Sequence, residues 1–316
     1  MFAVRGTIIS LAVFAIAYCA ASLAVLVTWK NVWPRGQRRS ARRRADALFF
    51  LRLFPLVSAI LVTAVFAVPS FVILEPRAIE ERMGIVPVAL ALVGLALAGL
   101  GLAKSLAALR GSCRRISEWT RGAEKLETDS PVAVLRVSAT APAMTAVGIV
   151  RPKVFLSDAT RTLLNPSELQ TALNHELAHV RRQDNLRKLL LHFAVFPGMS
   201  GLEAAWLEAT EMAADDAAVS NSSEAVELAS ALIKMSRCVP LAPPPGLTAA
   251  LVHSPASLVD ARVKRLVAWN EETRTKRNQY SIWRVVCAAL ATTTVLVLTY
   301  GGLLVRVHMA TEWLLR

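Results

Sequence analysis

The chain has 316 residues, is 54% hydrophobic with a mean hydropathy of +0.46, and contains several apolar runs too long for an ordinary core helix. This composition argues against a soluble globular enzyme and for a polytopic membrane protein. The net charge of +13 is clustered beside the apolar runs, where it acts as a topology signal, and no direct nucleic-acid binding is expected. Cys19, Cys113, Cys238 and Cys287 show no paired spacing, which excludes a disulfide framework and a cysteine zinc site.

Residues 7–28 are uncharged and long enough for a bilayer core, and Trp29, Lys30 and Trp33 follow as interface anchors. Only Arg5 precedes this run and the strong positive cluster follows it, so it reads as a retained span and not as a cleaved signal peptide. Lys30, Arg35, Arg38, Arg39, Arg42, Arg43 and Arg44 make residues 30–44 a cytoplasmic loop, which puts the amino terminus outside. A second span is predicted over residues 53–74, with Pro55 and Pro69 near its ends, followed by a slightly acidic outer turn over 75–83. The third span, 84–103, carries Gly94, Ala98 and Gly101, small residues that let another helix approach closely. Lys104, Arg110, Arg114 and Arg115 mark its inner end.

The following insert, roughly 150 residues, is enough for one small domain. Residues 111–128 read as a juxtamembrane helix or linker. Alternation predicts a strand over 131–138, and 146–157 read as two short strands or one bent around Arg151-Pro152. An exposed strand edge here would suit a peptidase, because an extended substrate binds by pairing with it. Asn165-Pro166-Ser167-Glu168 signals a helix start, with Asn as N-cap, Pro at the first position and Glu three residues after the cap.

On that helix lie Asn174-His175-Glu176-Leu177-Ala178-His179-Val180. The histidines fall one turn apart on one face, with side chains about 6 Å apart, a spacing that suits two bonds to one Zn²⁺. Glu176, beside the first of them, is placed to take the proton of a metal-bound water. Zinc needs a third protein ligand. After a break at 197–201, an Ala-rich helix over 202–219 carries Glu208, Glu211 and Asp215 on one face, one to bind and another to orient a ligand histidine. His192 would point to a different face and reads as structural, His253 falls in a loop, and Arg182 and Asp184 read as a structural pair at the helix end. Tyr18, Tyr280 and Tyr300 all lie in or beside spans, so no tyrosine of the insert steadies an oxyanion.

Residues 241–246 read as a stiff turn, and 257–269 as a basic amphipathic helix with Leu258, Val259, Val263, Leu266 and Val267 apolar. A fourth span over 285–305 follows Lys276, Arg277, Tyr280, Trp283 and Arg284, and residues 306–316 return to the outside. The expected domains are therefore 1–110, a three-helix membrane region; 111–280, a cytoplasmic catalytic domain; and 281–316, the fourth helix with a short outer tail.

His175-Glu176-Leu177-Ala178-His179 with Arg182 and Asp184, then Glu211-Met212-Ala213-Ala214-Asp215, resembles the BlaR/MecR-type membrane zinc metallopeptidases. Residues 148–156 are also similar to that family's segment ahead of the helix. The resemblance covers nearly the whole chain and is most specific over 148–215. It implies a mainly α polytopic protein with four transmembrane helices and an α+β gluzincin-like zinc protease domain between the third and fourth. It implies Zn²⁺ held by His175, His179 and Glu211, Asp215 in support and Glu176 as catalytic base. Glu211 is favoured over Glu208 because Asp215 follows it one turn later. It further implies a bacterial-type inner-membrane regulator that cleaves a cytoplasmic transcriptional repressor or itself. One departure stands out: only a short tail follows Val305 and no Ser-x-x-Lys occurs, so covalent β-lactam sensing is not expected, and the stimulus is left to a separate sensor protein as partner or to a response of the spans to the membrane. The other readings are an HtpX-like quality-control protease, sharing the helix motif and the Glu-x-x-x-Asp pattern, and a non-catalytic membrane receptor or scaffold.

Overall fold

The computed structural model describes residues 2–32, 40–75, 84–128, 130–137, 144–237, 248–250, 256–269 and 300–313. Helix α1 covers Phe2–Val32. Helix α2, Ala41–Val62, passes through a π turn, Thr63–Ala67, into α3, Val68–Leu74. The π turn has a local cause. Pro69 has no N–H for the Val65 carbonyl, the Val68 N–H reaches back to the Thr63 carbonyl, and Val65 O accepts instead from the Tyr300 hydroxyl at 2.8 Å. Helix α4 runs unbroken over Ile85–Thr120, so the third expected span and the start of the juxtamembrane stretch are one helix. Phe2–Trp29, Ala41–Leu74 and Ile85–Thr120 are long and apolar enough to cross a membrane.

Strands β1 (Glu124–Leu126), β2 (Ala133–Val137), β3 (Met144–Val147) and β4 (Lys153–Ser157) follow, then α5 (Asp158–Leu163), α6 (Pro166–Arg181), α7 (Asp184–Phe193), α8 (Ser200–Ala218), α9 (Ser222–Ser236), β5 (Thr248–Ala250) and α10 (Ala256–Val267). Residues 300–313 form α11. The rest of the fourth expected span, the turn at 241–246 and His253 lie outside the described residues. The stretch around Arg151-Pro152 separates two strands, which pair antiparallel.

The chain divides into two compact units. One comprises Met1–Val32, Leu51–Leu100 and Arg277–Arg316; the other comprises Trp33–Phe50 and Gly101–Lys276. In the first, Arg5 and Glu75 form a buried ion pair at 2.8 Å, and Gly94 lies so close to the Leu11 carbonyl that a Cβ there would meet it at 2.6 Å. This is the close helix approach expected of the small residues in the third span.

The second unit is built on a sheet in the order β1-β2-β4-β3-β5, with β2 and β4 parallel and the other pairs antiparallel. Alternation divides its side chains between two faces. Val154 and Leu156 meet Leu173 and Leu177 of α6 and Leu228 and Leu232 of α9 in the main core. Leu135, Val137 and Phe155 meet Ile116 and Trp119 near the end of α4, with the Trp119 and Phe155 rings edge to face at 5.5 Å. The basic end of α4 therefore covers the back of the sheet, while α6 lies on its front, against α8 and α9.

Helix α6 begins with the expected capping box. Asn165 Oδ1 accepts from the Glu168 N–H at 2.8 Å, and Glu168 Oε2 accepts from the Asn165 N–H at 2.9 Å. Glu168 also accepts from Ser230 at 2.6 Å and Lys234 at 2.7 Å, which ties α6 to α9. Burial raises the Glu168 pKa, but Lys234, Ser230 and the Asn165 N–H outweigh it and hold it below the usual range. The resulting stabilisation is complete above about pH 4.3, the ordinary glutamate value, and is lost as the pH falls through the lower folded value. Glu168→Gln is expected to lower stability at pH 7 by about 1–2 kcal/mol. Thermal unfolding of the detergent-purified protein checks this, and the gap from wild type narrows in acid.

Candidate metal centre

The capping box aims one face of α6 inward, and the helix buries His175 (0% exposed), Glu176 (0%) and His179 (2%). Helix α6 ends at Arg181, and Gln183 turns the chain with a left-handed backbone, φ 54°, so α7 starts in a new direction at Asp184. His192 is thus carried on a separate helix, where burial lowers its pKa. The turn returns Asp184 to the histidine face.

Each histidine has a carboxylate behind it. His175 Nδ1 is 3.0 Å from Asp215 Oδ1, and His179 Nδ1 is 2.8 Å from Asp184 Oδ2. The Asp184 hydrogen bond favours the His179 proton on Nδ1, Asp215 lies within ion-pairing distance of His175 Nδ1, and the two Nε2 atoms face each other 3.1 Å apart. Glu211 of α8 adds an oxygen 3.6 Å from each Nε2. Two lone pairs and a carboxylate directed at one point repel unless a cation lies between them. His175, His179 and Glu211 are accordingly a group able to hold a metal ion. Donor set and geometry both fit a divalent metal of the zinc type. Of Glu208, Glu211 and Asp215 on α8, Glu211 alone belongs to this group, and Asp215 stands behind His175.

Arg262, on α10, is fully buried beside these carboxylates. Its Nε and Nη2 donate to Asp215 at 2.8 and 2.6 Å, and Nη1 lies 3.0 Å from Glu211 Oε2. Burial works against both carboxylates, yet Arg262 and the histidines overcome it: Glu211 falls to about 2 and Asp215 lies well below the carboxylate range. Burial also disfavours a charged His175, but Asp215 and Glu211 prevail and raise it to about 9, so a proton competes with metal for this ring. Glu176 is raised to about 7 by burial, partly countered by His179 and His175. Its Oε2 accepts from the Ala146 N–H of β3 at 2.7 Å, while Oε1 has no hydrogen-bond partner among the described residues. Asn185 donates to Ala146 O and Gly148 O at 3.2 and 3.1 Å, holding β3 against the site.

Three contributors were not assigned to the site from sequence: Arg262, Asp184 as the partner of His179, and Asn185. Arg262 carried a readable signal, since it falls within the apolar stripe Val259, Val263 and Leu266 at helical spacing. Asp184 enters only through the family resemblance, and its contact with His179 depends on the left-handed turn at Gln183. One edge of β3, the strand that contacts Glu176, is paired with β5 in the register Thr145↔Ala250, Ala146↔Ala249 and Val147↔Thr248.

Helices long and apolar enough to cross a membrane, in a chain with a buried histidine–carboxylate cluster able to hold a metal ion, fit a membrane-associated metallopeptidase. Residues 77–266, more than half of the chain, match the family model described as BlaR1 peptidase M56, and the protein belongs to that family. No curated protein matches the chain.

Proposed function

We propose that this protein is an integral-membrane zinc endopeptidase with four spans, both termini outside and the active site on the cytoplasmic side. His175, His179 and Glu211 hold the zinc; Asp215 and Asp184 fix the two imidazoles. A bound zinc supplies Lewis acidity and a water acidified to about pKa 7. Glu176 Oε1 would then be the group to accept a proton from water and to return it to the leaving amine, while the Ala146 N–H holds Oε2 in place. The observation that carries this reading is the convergence of two Nε2 atoms, 3.1 Å apart, and Glu211 on one point, each ring backed by its own carboxylate.

The substrate we infer is a cytoplasmic protein, a transcriptional repressor or the chain itself, in a signalling pathway that takes its stimulus from the spans or from a separate sensor protein. Self-cleavage gains support from β5, which pairs with β3 where an extended substrate would lie. The test is metal content and proteolysis of the full chain in detergent, with cytoplasmic repressors as substrates. About one zinc per chain and cleavage support the proposal. A chain that takes up no divalent metal overturns it and favours a scaffold.

A further inference from the structure

We propose that the amino-terminal end of α2 positions the metal ligand His179 through an ion-pair relay, Asp46 to Arg182 to Asp184, with Arg187 anchoring Asp46. The inference rests on the metallopeptidase reading and concerns how that site is regulated.

Residues Ala41–Phe50 of α2 belong to the compact unit that contains the metal centre, while the same helix continues into the other unit from Leu51. Asp46 lies in this shared turn. Its Oδ1 is 2.6 Å from Arg187 Nη1 and 3.8 Å from Arg182 Nη2. Arg182 Nε is in turn 3.4 Å from Asp184 Oδ1, and the other oxygen of that carboxylate holds His179 Nδ1 at 2.8 Å. The side chains of Arg182 and Asp184 are 9% and 0% exposed, so solvent screens this step little.

A second contact leads from the same turn to the other metal-bearing helix. The Arg187 guanidinium sits 5.2 Å above the Phe49 ring, and Phe49 lies 6.3 Å from Trp206 of α8, the helix that carries Glu211 and Asp215. One turn of α2 therefore touches the supports of both halves of the ligand set. The far end of α7 from Asp184 is braced: α4 fits so closely against it that a Cβ on Gly101 would run into the Phe193 carbonyl. Helix α7 is thus backed on one side while Asp46 acts through Arg182 and Arg187. A shift of α2 along or about its axis changes the 3.8 Å and 2.6 Å separations first, and through Arg182 the orientation of Asp184 and the His179 ring. Asp46 and Arg182 are positioning residues, remote from any reacting atom.

The experiment is metal affinity of the full chain in detergent, measured by chelator competition and by the visible spectrum of bound Co²⁺, alongside thermal unfolding. Asp46→Asn is expected to weaken metal binding about three- to tenfold, less than the 10- to 100-fold expected of Asp184→Asn, which touches the ligand. Asp46→Glu restores affinity. In the Asp184→Asn background, Asp46→Asn has no further effect. The relay is overturned if Asp46→Asn binds metal as wild type does, or if its loss adds fully to that of Asp184→Asn. A wild-type chain that binds no divalent metal overturns the metallopeptidase reading itself, whereas unchanged affinity in Asp46→Asn with a metal-loaded wild type removes only the relay.

Discussion

Glu176→Gln is expected to keep the metal and to slow peptide hydrolysis about 10²- to 10⁴-fold, the usual contribution of a positioned acid–base group. The substitution conserves volume in a site where Glu176 is fully buried, so β3 and α6 need not move. It does change one contact. Glu176 Oε2 accepts from the Ala146 N–H, and the Gln amide oxygen can accept the same bond, leaving its NH₂ group where Oε1 stands. What disappears is the capacity to take a proton. Burial raises Glu176 to about 7, the range in which a carboxylate is both basic enough to accept a proton and acidic enough to release it. A metal nearby lowers that value again, so wild-type activity is expected to rise with pH through a limb at or below about 7. Metal content and single-turnover cleavage are measured together. Turnover within a few fold of wild type would remove Glu176 from the mechanism; loss of metal as well as turnover would assign it a structural role.

The grouping of His175, His179 and Glu211 could be read from the chain because it depends on helical spacing within α6 and within α8, and local periodicity is what a sequence displays. The start of α6 was legible for the same reason: Asn165, Pro166 and Glu168 act on their own backbone. The parts that could not be read are non-local. Nothing near Asp184 indicates that a left-handed Gln183 will fold it back to His179. Nothing in β3 indicates that β5, a hundred or so residues later, will occupy its edge. Charge gives an incomplete account of the basic end of α4. The positive-inside reading explains why its basic groups lie next to a span, yet the same end supplies Ile116 and Trp119 to the back of the sheet, and the rule is silent on Asp46, which meets Arg187. Arg262 shows the opposite failure. A basic amphipathic helix is all that the charge of 257–269 suggests, although the place of Arg262 among Val259, Val263 and Leu266 is where a cation survives only with carboxylates to meet it.

Arg262→Gln is therefore expected to have the largest effect on stability, and an effect that depends on metal. Without metal, Arg262 is the permanent cation between Asp215 and Glu211, whose side chains are 1% and 12% exposed. Removing it leaves the two carboxylates beside each other with His175, which they raise to about 9, as the cation that remains against them. The cost of breaking such a buried pair is about 3–5 kcal/mol. With metal bound, a divalent charge stands on the other side of Glu211 and compensates part of the loss. The variant should therefore gain more thermal stability from metal than wild type gains, although its affinity is altered by the lost orientation of Asp215. Arg262→Lys should fall between the two, because an ammonium keeps the charge and cannot reproduce the fork that meets Asp215 through Nε and Nη2. Thermal unfolding of the three proteins, each with chelator and with saturating Zn²⁺, measures these differences. Equal metal-induced stabilisation in wild type and Arg262→Gln would show that the guanidinium and the metal do not share one charge balance, and α10 would then be a packing element and not part of the centre.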